Sequence, residues 1–186
     1  AAGFSVLIRF FWDALSAADM PIVKGVPVDT PWPVIAGCLA MATMTVGNLS
    51  ALGQDNVKRM LAYSSIAHAG YMLLGILAAS TTGKAAILFY VVAYAVTNLG
   101  AFGVIVVLES AEGANDHVRD YAGLWDAHPA LAALMTLFLL SLGGFPPLAG
   151  FIAKWYVFSA AVKAGYTGLA IIGVLTSVVS VFFYLR

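Results

Sequence analysis

Lys154 and His68 are the two residues of this chain whose type and setting best suit proton chemistry. Lys154 lies in an otherwise uncharged stretch, residues 130–162, interrupted by Gly143-Gly144-Phe145-Pro146-Pro147. An ammonium in hydrocarbon costs about 3 kcal/mol on insertion scales. Paired prolines break a helix, because each lacks an N–H and clashes with the preceding turn. Irregular backbone at membrane depth is tolerated only where protein buries it or water fills a cavity. A broken helix beside an ionisable group therefore reads as part of an ion path. The competing reading is an ammonium that snorkels to the nearer interface. That interface, at residues 162–166, is roughly 12 Å away by helical rise, farther than a lysine stem comfortably reaches. A buried ammonium gains or loses a proton as a neighbouring charge moves, which is the behaviour a relay needs.

His68 lies two turns into an apolar span, residues 60–80. A lone histidine there is often just hydrogen-bonded to a neighbouring helix, yet imidazole also titrates near neutral pH and can pass protons. Tyr71, one turn further on, reads as packing. Lys58 and Arg59 fall in a short polar turn, residues 54–59, and read first as topology and headgroup contacts; Lys58 is the third candidate for the relay. Asn98 reads first as a hydrogen bond across helices and second as the lining of a wet path, and Glu109 reads as an interfacial charge.

The elements that must position these residues follow from composition. The 186 residues are 62% hydrophobic and 10% charged, where soluble proteins carry about 25% charged residues. Uncharged or nearly uncharged stretches recur at 34–53, 60–80, 85–108, 130–162 and 166–185, each long enough to cross a bilayer. They are expected to be helical, since an open sheet edge is unsatisfied in lipid. Residues 1–12 read as the end of a preceding transmembrane helix and 13–33 as a linker, so the chain reads as a piece of a longer membrane protein. A second polar linker occupies 109–128, and Pro129 suits the first turn of the broken helix after it. Alternation of the spans places Lys58, Arg59, Arg119 and Arg186 on one side, the cytoplasmic one by the positive-inside rule, and Lys24, Lys84 and Lys163 on the other. Trp32, Trp125, Tyr166 and Tyr184, at span ends, fit interfacial anchoring. Gly70, Gly75, Gly100 and Gly103 suit close helix packing.

Net charge is zero and no basic patch is present, which argues against a nucleic-acid partner. The single cysteine, Cys38, excludes a site built from several thiolates. No Gly-rich dinucleotide fingerprint and no phosphate-binding loop occurs. A pump built from this chain draws its energy from another chain or another ion.

Two runs carry a family resemblance. Residues 47–71 include Tyr63-Ser64-Ser65-Ile66-Ala67-His68-Ala69-Gly70-Tyr71. Residues 140–156 include Gly144-Phe145-Pro146-Pro147-Leu148-Ala149-Gly150-Phe151-Ile152-Ala153-Lys154-Trp155-Tyr156. Both closely resemble the antiporter-like membrane subunits of respiratory complex I, the NADH–quinone oxidoreductase, and the resemblance covers essentially the whole chain. It implies an all-α, polytopic membrane bundle with two inverted five-helix repeats, each holding one discontinuous helix. Residues 34–186 would be the second repeat. Lys154 matches the broken-helix lysine of the second half-channel, and His68 the histidine after the Tyr-Ser-Ser motif, near the cytoplasm-linked route. The resemblance further implies no cofactor on this chain, with NADH, flavin, iron–sulfur clusters and quinone on partner subunits. It implies other membrane subunits, the lipid bilayer and protons as partners, in a bacterial inner membrane. The alternatives are a subunit of a multisubunit cation/proton antiporter or membrane-bound hydrogenase, and a purely structural membrane scaffold.

Overall fold

A computed structural model of the protein describes residues 32–78, 81–112 and 117–186. Residues 1–12 and almost all of the 13–33 linker lie outside the described residues. Helix α1 (Trp32–Leu52) is uncharged throughout and ends before a short turn. Asn56 then starts helix α2 (Val57–Leu77), its side-chain oxygen accepting the Arg59 N–H at 2.9 Å. That cap satisfies one of the four donors a helix start leaves open. Lys58 and Arg59 therefore belong to the first turn of α2, and the polar turn expected at 54–59 is shorter than it read.

Helix α3 (Thr81–Glu112) runs longer than the 85–108 expected, because Ser110 and its neighbours continue the helix past the apolar run. Glu109 thus sits within the helix. The second polar linker folds into a 3-10 turn (Val118–Tyr121) and a single-turn helix α4 (Leu124–Ala127). It is tied to the α1–α2 turn by the Val118 N–H, which donates to the Asp55 carbonyl at 2.9 Å, and Arg186 at the far end of the chain bonds the Asp55 carboxylate. Lys58, Arg119 and Arg186 therefore share one end of the bundle, as alternation of the spans required.

The broken helix forms as two halves, α5 (Pro129–Gly143) and α6 (Ala149–Lys163), with Pro129 as the first residue of α5. Helix α7 (Thr167–Leu185) completes the fold. Among the described residues there is no sheet. Helices α1, α2, α3 and α7 are long and apolar enough to cross a membrane. The two half-helices meet end to end between them.

Helix α2 is the buried centre. Leu61, Ser64, His68 and Tyr71 recur at helical spacing and are each under 5% exposed. It packs on α1 through glycine: a Cβ at Gly70 would come within 2.9 Å of the Ala40 carbonyl, so only hydrogen fits there. Gly100 makes a similar approach to Phe138, whereas Gly103 faces open space. On α3 the opposite stripe, Val92, Val96, Leu99 and Val106, is exposed. An apolar stripe of this kind suits hydrocarbon or neighbouring helices rather than water.

Candidate functional site at the helix break

Helix α5 ends at Gly144, a residue with φ +89° that glycine adopts without Cβ strain. The turn returns two N–H groups to the helix: Gly144 donates to Leu140 and Ser141, and Phe145 donates to Leu140. The last two carbonyls, Leu142 and Gly143, receive nothing from this turn. Lys154, five residues into α6, supplies what they lack. Its amine donates to Leu142 O at 3.0 Å and Gly143 O at 2.9 Å, and a third bond goes to Ser177 Oγ at 2.9 Å. Three ammonium donors meet three acceptors. The negative end of the α5 dipole adds to their attraction for the cation.

Lys154 is 5% exposed, so it does not snorkel. No carboxylate comes within 4 Å of its amine among the described residues. The half-helices are held close by Gly150, whose N–H donates to Ser141 Oγ at 3.3 Å. A Cβ at Gly150 would overlap the Ser141 carbonyl.

Tyr71 connects the lysine to the histidine. The amine lies 5.5 Å from the Tyr71 ring centroid, within cation–π range. The His68 ring meets the same tyrosine edge to face at 5.7 Å. The Tyr71 hydroxyl donates to Thr176 Oγ1 at 3.3 Å and accepts from Asn48 Nδ2 at 2.9 Å. Tyr71 was expected only to pack, yet its hydroxyl is part of a polar thread.

His68 is 4% exposed and uses both ring nitrogens: Nδ1 pairs with Tyr90 Oη at 2.6 Å, and Nε2 with Tyr184 Oη at 3.3 Å. A cavity of about 10 Å³ lies between His68, Tyr94, Ser141 and Leu142. That volume is at the lower limit for one water. A water there would lie among His68 and Leu142, the residue whose carbonyl accepts from Lys154.

Lys58 stands apart from this core. It pairs with Glu109 at 2.9 Å, with both side chains partly exposed (35% and 42%). Glu109 is thus an ion-pair partner that joins the starts and ends of α2 and α3. Asn98 does not form the expected hydrogen bond across helices: its Oδ1 is buried without a partner among the described residues. Tyr184, expected as an interfacial anchor, is 5% exposed and bonded to His68, because the linker and α5 cover its end of α7. Thr176 and Ser177 escaped the sequence reading, as did the place of Tyr184 in this site. Their signal was present: hydroxyl residues at 176, 177, 180 and 184 fall on one face of an otherwise apolar span.

A discontinuous helix with an ammonium buried at its break, enclosed by membrane-length helices, places the chain among membrane proteins built around broken helices. It belongs to the NADH:quinone oxidoreductase/Mrp antiporter transmembrane family, whose model matches residues 15–180. It is a multi-pass membrane protein.

A curated relative, the NADH-quinone oxidoreductase subunit N 2 of Sorangium cellulosum, is 58% identical over the whole chain. The chain spans only 37% of that protein's length. Among solved structures, a chain of respiratory complex I from Thermus thermophilus with bound NADH superposes with a TM-score of 0.80 at 26% identity. It covers 95% of this chain and 36% of its own. A chain of the Mrp complex from a Dietzia species superposes at 0.77 with 27% identity, covering 88% of this chain and 30% of its own.

Proposed function

We propose that the chain holds the second five-helix repeat of subunit N of a bacterial inner-membrane NADH–quinone oxidoreductase, and that it passes protons through Lys154 and His68. In this reading electron transfer among NADH, flavin, iron–sulfur clusters and quinone takes place on partner subunits and drives the movement. The observation that carries it is the Lys154 ammonium, excluded from solvent and held by two carbonyls at the end of a broken helix.

Among the described residues such a cap is held by dipoles and no carboxylate, so a charge approaching from another subunit changes its electrostatic energy without first breaking an ion pair. On losing its proton the amine keeps two N–H donors for three acceptors and grips the break less firmly. The neutral amine regains a proton from His68 by way of a water in the small cavity, and the two phenolic neighbours of the imidazole suit either tautomer. Lys58, held by Glu109 at the end of the bundle, fixes the helix ends in this reading and carries no proton.

Replacing Lys154 with alanine in the full-length subunit is expected to lower proton pumping per NADH oxidised by an order of magnitude. Unchanged pumping from a fully assembled complex would refute the role. The superposition with the Mrp complex supports a second reading, a cation/proton antiporter subunit. Copurification with flavin and iron–sulfur subunits separates the two. The 58% identity to a subunit N favours the first.

A further inference from the structure

Tyr184 belongs to two environments at once. Its hydroxyl is 3.3 Å from His68 Nε2, and the residue also lines a cavity of about 540 Å³ at the linker end of the bundle. That cavity is bordered by the 3-10 turn and by Arg119 and Arg186, so it opens among the charged residues of the aqueous end. Its inner wall includes Ala132, Met135 and Thr136 of α5. His68 itself lines the small cavity, on the side of the helix break, and not the large one. Tyr184 therefore stands between the large cavity and the imidazole.

We infer that the Tyr184 hydroxyl is the entry through which protons from the large cavity reach His68. This rests on the proton-translocating role proposed above. The hydrogen bonds permit a balanced transfer. His68 begins with its proton on Nδ1, donated to Tyr90 Oη, while Tyr184 Oη donates to Nε2. A hydronium in the large cavity gives one proton to Tyr184 Oη as that oxygen gives its own to Nε2. The imidazole then releases its Nδ1 proton to Tyr90 Oη, which passes its own to a water in the small cavity. One proton crosses, no bond to carbon changes, and the ring is left as the other tautomer with both phenols neutral and the charge on the receiving water.

The test uses the full-length subunit in assembled complex within sealed membrane vesicles, with His68→Phe as the reference. Tyr184→Phe keeps the ring and removes the hydroxyl, and is expected to lower NADH-driven proton uptake at least fivefold with assembly unchanged. A fluorinated tyrosine at 184 keeps the hydroxyl and nearly the same size but ionises at lower pH. As a stronger donor to Nε2 it is expected to change the pH profile of pumping, which a purely packing tyrosine would not do. Should Tyr184→Phe fail to assemble, the fluorinated variant decides alone. Normal pumping by Tyr184→Phe beside a defective His68→Phe overturns the entry and leaves the relay intact. An unshifted profile in the fluorinated variant also overturns the entry. Normal pumping by His68→Phe overturns the relay itself, and the entry with it.

Discussion

The Lys154 amine stands 2.9 Å from the Gly143 carbonyl, the last acceptor of a helix that ends one residue before the left-handed glycine. One side chain thus caps one half of a broken helix from within the other half. Charge and architecture share the same atoms, and any change to one is felt by the other.

Removing the amine leaves the Leu142 and Gly143 carbonyls buried without this donor. An unsatisfied buried group costs about 1–3 kcal/mol. Lys154→Met is therefore expected to destabilise the full-length subunit by on the order of 2 kcal/mol. Thermal unfolding in detergent measures this, and an unchanged midpoint would mean that the cap contributes nothing to stability.

The approach of the half-helices depends on Gly150. A methyl there meets the Ser141 carbonyl, and overpacking of this kind costs about 1–3 kcal/mol. Gly150→Ala should lower the unfolding midpoint and the pumping rate together. Gly168→Ala, where a Cβ meets nothing within 4 Å, is the control. It should be neutral or stabilise by up to about 1 kcal/mol.

Lys58 and Glu109 form a partly exposed pair, a class worth at most about 1 kcal/mol. A double-mutant cycle with Lys58→Met and Glu109→Gln should give a coupling energy under that value. Pumping by each single variant should stay within about twofold of the parent. A tenfold loss in Lys58→Met would restore Lys58 to the relay.

Asn98 buries an oxygen with no partner among the described residues. Replacing it with leucine removes an unpaid desolvation cost and is expected to raise stability by about 1 kcal/mol. Measured in the assembled complex, a fall instead would reveal a donor supplied by another segment or subunit.

Much of this architecture was legible in the residue order. Uncharged runs marked the membrane helices, and Gly143 to Pro147 marked the break, because proline and glycine act on their own backbone. Lys154 was legible as a buried charge since its nearest interface was out of reach. The partners of that charge were not. Carbonyls of residues 142 and 143 carry no side-chain signature, and Ser177 reaches the amine only through tertiary packing. Tyr184 misled for a related reason: an aromatic at a span end looks the same whether it faces headgroups or a covered cavity. Helix ends also shifted, as at Lys58, because Asn56 extends α2 into residues that read as a turn.

The side-chain partners of His68 are phenols, and those of Lys154 are carbonyls and a serine. Hydroxyl rotors turn about one C–O bond while the heavy atoms stay still. Two functional states of this bundle can consequently share one set of carbon, nitrogen and oxygen positions and differ only in where hydrogens sit. Such a difference is recorded in phenol C–O and imidazole vibrations, or in neutron density, while X-ray maps of the two states coincide.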